Sequence, residues 1–299
     1  MLRPEFGIGL LEFELESDIS DKAAQLLAEG SIIGWVQGRA EFGPRALGNR
    51  SILADPRPAE NMSIINKMVK KRESFRPFAP AVLEEYAQDY FEIPRKNMRF
   101  PFMTFVLKVR EDKRKLLGAT THVDGTARIQ TVSRKTNESF WSLIDNFRKR
   151  TGVPVLLNTS FNNNAEPIVD SVNDAIVSFL TTDLHYLVIG DYLIKKKNIK
   201  SKQFLQTTLS VPPFCTLTQS RKFHSSSEMS WLWELRRNYD TRLVLSISPE
   251  AYRILSQADG RTPLNLLFRE CKINREIQAT VIEEIKTLWA SRSIILTPV

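Results

Sequence analysis

The sequence predicts an α/β fold. From about residue 18 to residue 198, helical patterns alternate with short apolar runs, and the helices carry visible caps and stops. The apolar runs end in polar or glycine-rich turns, where sheets of this class build ligand sites.

In order, the first helix spans 18–29, with Asp18 able to cap its start and Gly30 stopping it. Residues 32–36 read as a buried strand, followed by a long loop over 38–57. Helical spacing returns over 59–71, where Met62, Ile65 and Val69 share one face. Strands are expected over 102–109 and 128–132, then an amphipathic helix over 140–150 that ends at Gly152. The run 153–157 is a buried strand feeding the polar turn Asn158-Thr159-Ser160-Phe161-Asn162. A helix over 171–181 and a strand over 186–189 complete a domain placed at 18–198.

Beyond it, five lysines fall within 195–202, and the chain stays rich in Ser, Thr and Pro without helical period. That stretch, 199–227, reads as a linker. A strand over 243–247, helices over 249–257, 263–270 and 276–291, and a closing strand over 294–296 suggest a small winged-helix-like module at 228–299.

Composition is that of an ordinary globular protein, with 42 Lys and Arg against 34 Asp and Glu, a net charge of +8. The sign suits nucleic acid or small anions and does not choose between them. Cys215 and Cys271 have neither metal-clip spacing nor the number of a disulfide framework, so a reducing cytoplasm is expected. No apolar run has transmembrane length, and the first residues lack the layout of a signal peptide.

The chemistry concentrates in 38–57, where Arg39, Arg45, Arg50 and Arg57 are interleaved with Gly38, Gly43, Pro44 and Gly48. Guanidinium forks match phosphate and carboxylate oxygens, and glycines at turns let a backbone approach a ligand. The segment therefore reads as a shaped anion-binding loop, against the alternative of a solvated basic loop. Lys70 and Arg76 flank a helix end that leads into an aromatic, proline-rich segment; there the competing reading is a basic terminus complementing the helix dipole. An Asp-Gly turn precedes Arg128, and Asn158 with Ser160 supplies polar groups directly after a buried strand. His122 reads as a structural or surface residue, and with His185 and His224 far away in sequence no histidine metal site is expected.

These stretches carry a resemblance. Gly38-Arg39-Ala40-Glu41-Phe42-Gly43-Pro44-Arg45-Ala46-Leu47-Gly48-Asn49-Arg50, Arg72-Glu73-Ser74-Phe75-Arg76-Pro77-Phe78-Ala79-Pro80, His122-Val123-Asp124-Gly125-Thr126-Ala127-Arg128 and Leu157-Asn158-Thr159-Ser160-Phe161-Asn162 occur in the order found in one family. From residue 29 to about 195 the chain resembles the C-terminal domain of the O-carbamoyltransferases of the nodulation and antibiotic-biosynthesis type.

The resemblance implies a YrdC/Sua5-like twisted mixed sheet with a positively charged cavity. It also implies a reaction in which carbamoyl phosphate and ATP give carbamoyl adenylate, whose carbamoyl group then passes to a hydroxyl acceptor. By motif position Lys70, Arg76 and Arg128 would be catalytic. Arg45, Lys70, Arg76, Arg128, Asn158 and Ser160 would bind the phosphates and the carbamoyl group. Fixed cations suit that chemistry, because adenylate formation develops negative charge on phosphoryl oxygens. Magnesium is expected with the nucleotide, and no protein-bound transition metal in this chain.

Two departures stand out. Ala165 occupies a place where the family has glycine, within Asn164-Ala165-Glu166-Pro167-Ile168-Val169. The family's N-terminal Kae1-like domain, which transfers the carbamoyl group, does not precede the matching region, so a separate Kae1-like partner is expected. An RNA- or tRNA-binding role, and a non-catalytic binding role, remain as alternatives. The last 75 or so residues resemble, more weakly, PqqD-like winged-helix modules that recognise leader peptides, which implies a peptide or protein partner; with no apolar run of transmembrane length, no membrane partner is expected.

Overall fold

The structure is a computed structural model that describes residues 10–70, 73–95, 98–162, 167–197, 204–224, 229–238 and 240–297. It divides into a unit of residues 12–196 and a unit formed by 1–11 with 197–299.

The larger unit is built on one mixed sheet. Its strands are β1 (Leu11–Leu15), β2 (Ile33–Val36), β3 (Arg50–Ala54), β4 (Ala79–Leu83), β7 (Gln130–Val132), β8 (Val155–Ser160), β9 (Tyr186–Ile189) and β10 (Tyr192–Lys196), in the order β1-β10-β9-β2-β3-β8-β4-β7. β2 runs parallel to β9 and β4 parallel to β7, whereas β2, β3, β8 and β4 pair antiparallel. A separate two-stranded ribbon joins β5 (Val106–Lys108) to β6 (Thr126–Arg128). Every residue of β2, β3 and β4 is buried, as expected of central strands covered on both faces.

Helix α1 (Ile19–Ala28) begins at Asp18, whose carboxylate accepts from the amide of Asp21 at 2.9 Å. It buries Ala23, Ala24 and Leu27 in the same core as Phe140, Leu143, Ile144 and Phe147. Those four belong to α4 (Glu138–Thr151), which ends on Gly152 at φ +77°, a backbone glycine adopts without strain. In fully buried sites like these, Phe→Ala exchange costs about 3–5 kcal/mol. Helices α2 (Glu60–Ile65), α3 (Ala87–Tyr90) and α5 (Val172–Leu180) also belong to the unit, and α2 widens into a π-type turn over Asn66–Lys70.

The α/β class holds, with local corrections. Residues 38–57 are not one loop, because β3 lies within them. The strand expected over 102–109 is confined to β5, and that over 128–132 is split between β6 and β7, which belong to different sheets. The turn after 157 is in part strand, since β8 continues to Ser160. The helix expected to reach residue 71 gives way to the π-type turn after Ile65.

In the smaller unit, β11 (Thr208–Ser210) pairs antiparallel with β15 (Ile295–Thr297), and β12 (Cys215–Phe223), β13 (Met229–Arg237) and β14 (Asp240–Ser246) form an antiparallel sheet. The stretch 199–227 therefore holds two strands and is not a bare linker. The three expected helices are present at Pro249–Ser256, Leu264–Glu270 and Gln278–Ala290. Glu284 of the last accepts from the amide and the hydroxyl of Ser248 at 2.7 and 2.6 Å, while Ser248 caps the first of the three. Both cysteines are free, Cys271 buried and Cys215 half-buried, and burial pushes both thiols up. Among the described residues no helix is long and apolar enough to cross a membrane.

Candidate functional site

The sheet order decides where the polar groups meet. β8 lies between β3 and β4, so Asn158 pairs with Leu53 on one side and Ala79 on the other. The end of β8 thereby meets the segment entering β4, residues 76–78, and the loop preceding β3, residues 44–46. The β5–β6 ribbon adds Arg128, paired with Val106. Together with Met103 and His122 they enclose a cavity of about 410 Å³, within the ordinary size range of small-molecule sites.

Five of the six residues expected at the site line this cavity: Arg45, Arg76, Arg128, Asn158 and Ser160. Lys70 ends the π-type turn, and its side chain lies outside the described residues. So do residues 163–166, with the unusual Ala165. Among the described residues that line the cavity there is no carboxylate. Arg76 pairs with Glu73 at 2.9 Å, both half-exposed. Such exposed pairs are worth about 0–1 kcal/mol, so an anion can compete for the guanidinium.

The four arginines of the loop do not act alike, which corrects the reading of 38–57 as a single anion site. Only Arg45 lines the cavity. Arg50 is 7% exposed and gives its donors to the carbonyls of Gln37, Gly38, Asn49 and Asp170 at 2.9–3.3 Å. Arg57 forks onto the buried carboxylate of Asp55 at 2.6–3.0 Å. Arg39 is exposed and outside the cavity wall. Arg50 thus ties backbone segments together, and Arg57 neutralises a buried carboxylate.

Asn158 is 1% exposed, and its amide donates to the carbonyl of Ala46 at 3.2 Å and to Oε1 of Gln130 at 2.8 Å. Both donors are spent inside the protein, so this side chain shapes the wall beside Arg45. Ser160 donates to Oδ1 of Asn162 at 2.6 Å.

Sequence reasoning missed His122 and Gln130. His122 sits in the wall with its Nδ1 3.0 Å from the hydroxyl of Thr126. Burial holds its imidazole below the ordinary value; Asp124 opposes this and Arg128 adds to it. Its place beside Arg128 in one motif was the available signal. Met103, another wall residue, has φ +55°, a left-handed backbone that costs a non-glycine residue about 1–2 kcal/mol. Among the described residues no group of three or more His, Cys, Asp or Glu could hold a metal ion.

The family model described as carbamoyltransferase C-terminus matches residues 24–196. Over 290 residues the chain is 53% identical to nodulation protein NolNO of Sinorhizobium fredii, covering 97% of this chain and 43% of that protein. It is 49% identical over 290 residues to nodulation protein NolO of Bradyrhizobium diazoefficiens, covering 97% and 53%. Identity to the 3'-hydroxymethylcephem-O-carbamoyltransferase of Amycolatopsis lactamdurans is 39% over 171 residues, 57% of this chain and 32% of that one. The chain spans about half the length of the two nodulation proteins it matches. A distant likeness, at 16% identity and a TM-score of 0.35, links 48% of it to 38% of P. abyssi Sua5 complexed with L-threonine.

Proposed function

Because this chain belongs to the carbamoyltransferase C-terminus family, we propose that its cavity binds carbamoyl phosphate and ATP and forms carbamoyl adenylate. One observation carries the reading: Arg45, Arg76 and Arg128 converge from three separate segments on one cavity, and among the described residues that line it there is no carboxylate. Each guanidinium offers a planar fork to phosphoryl oxygens, and together they supply the charge two phosphorylated substrates need.

In the proposed reaction, water takes the phosphoryl group from carbamoyl phosphate. The carbamate oxygen so released attacks the α-phosphorus of ATP and expels pyrophosphate. The products are carbamoyl adenylate, phosphate and pyrophosphate. Negative charge on the α-phosphoryl and leaving oxygens grows during the attack, and fixed arginines need no reorganisation to meet it. Lys70 joins them by its place in the motif. Ser160 faces the carbamoyl group, while Asn158 keeps the wall in shape. Magnesium enters with the nucleotide, whose phosphates supply most of its ligands. A Kae1-like domain or chain then passes the carbamoyl group to a hydroxyl acceptor.

Thermal unfolding tests the binding half of this reading. Carbamoyl phosphate and ATP should each stabilise the protein, by about 2.7 kcal/mol at a hundredfold excess over Kd. Absence of a shift with either ligand at millimolar concentration counts against it.

A further inference from the structure

Arg45 reaches the cavity from a loop between β2 and β3 that has no secondary structure of its own from residue 37 to residue 49. The carbonyls that follow Arg45 are tied to the sheet: that of Ala46 by Asn158 and that of Leu47 by Gln130. The amides of the same segment turn the other way. Those of Leu47, Asn49 and Arg50 all point at one atom, Oε1 of Glu41, at 2.7, 2.6 and 3.4 Å. Three backbone N–H groups converging on one point make an anion nest, and here a side chain of the loop itself fills it.

We propose that Glu41 is a positioning residue that sets Arg45 in the cavity. The carboxylate gathers amides on both sides of Gly48 and fixes the path of the chain just after Arg45. Its charge makes those hydrogen bonds stronger than a neutral acceptor would. By filling the nest it also directs an incoming phosphate to the guanidinium and away from the loop backbone. The inference rests on the proposed function only in taking Arg45 as an anion-holding side chain.

Pyrophosphate is the probe, measured by calorimetry on the full chain, because its binding does not depend on carbamoyl chemistry. Failure to make carbamoyl adenylate would leave the clamp result standing, and the reverse holds too. Glu41→Ala should weaken pyrophosphate about tenfold, whereas Glu41→Gln, which keeps an acceptor oxygen, should stay within about threefold of wild type. In an Arg45→Ala background the same Glu41→Ala exchange should add less than about twofold, since coupled residues do not add. Should Glu41→Ala fail to fold, Glu41→Gln is compared in the two backgrounds, with its small loss expected to vanish when Arg45 is gone. Multiplying losses would overturn the proposal, as would a wild type that binds no pyrophosphate or an Arg45→Ala protein that binds it as tightly as wild type. Unchanged affinity in Glu41→Ala with faster hydrogen exchange at Leu47 and Asn49 would also overturn it, leaving Glu41 a purely structural residue.

Discussion

Asn158 and Gln130 are joined side chain to side chain at one end of the sheet, Nδ2 to Oε1 at 2.8 Å. Their strands, β8 and β7, lie on either side of β4, so the bond passes over the strand between them. Both residues are nearly fully buried, and Gln130 continues the link by donating to the carbonyl of Leu47 at 2.8 Å. In so enclosed a place a hydrogen bond is strong and an unmet polar group costly, so the pair transmits the rigidity of the sheet to the loop that carries Arg45.

Gln130→Leu removes that link while keeping similar volume. The amide of Asn158 loses one acceptor and the carbonyl of Leu47 its donor, so unfolding free energy should fall by about 1–3 kcal/mol. Urea unfolding measures the loss, and pyrophosphate affinity should fall with it. A variant as stable as wild type and equally able to bind would show the link to be idle.

Gly48→Ala should disturb the same loop from the other side. Gly48 has φ +110°, and a Cβ there would lie 2.2 Å from the ring of Phe140. Overpacking of this kind costs about 1–3 kcal/mol, and the backbone conformation adds to it. Thermal unfolding of Gly48→Ala beside Gly48→Ala/Phe140→Leu separates the two parts, because only the steric part is relieved in the double variant.

Two arginines that each end one of the site motifs should behave in opposite ways. Arg128→Ala removes charge from the cavity wall and should abolish most activity with little change in unfolding temperature. Arg50→Ala leaves four carbonyls without their buried donor and should cost stability of about 3 kcal/mol or more. Calorimetry on both variants checks the contrast, which fails if Arg128→Ala is the less stable protein.

His122 gives a pH dependence with a definite sign. Burial holds the folded imidazole below its ordinary value near 6.5. As pH falls through that value the unfolded chain takes up the proton first, so the stability His122 contributes is present above it and lost on acidification. A phosphate bound beside the ring favours the protonated form and should raise its pKa. NMR titration with and without pyrophosphate reads both effects, and a downward shift on binding would contradict the placement.

The helices were the most legible part of the fold, because their caps are local. Asp18 announces the start of α1 in the sequence itself, and Gly152 marks the end of α4. β3 was hidden by its opening Arg50-Ser51, which looks like surface. That arginine is satisfied by Gln37 and by Asp170, far along the chain, so its burial is a tertiary fact. The same reason concealed which arginine serves the cavity: Arg45, Arg50 and Arg57 are alike in sequence and differ only in what folds around them. β12 was masked by a Ser- and Thr-rich composition, and its register with β13 is a pairing that composition does not show. Arg45, Arg76, Arg128, Asn158 and Ser160, named from motifs, line one cavity. The distinction between Arg45 at the cavity and Asn158 spending its donors behind it needed the fold.

Carbamoyl adenylate formation, proposed for this cavity, is open to direct measurement. Protein incubated with ATP, magnesium and carbon-labelled carbamoyl phosphate should yield a labelled adenylate with release of pyrophosphate. Both substrates should be required, and the product should be absent with Arg128→Ala. Binding of both substrates without any carbamoyl-phosphate-dependent release of pyrophosphate, with or without a Kae1-like partner, would contradict it.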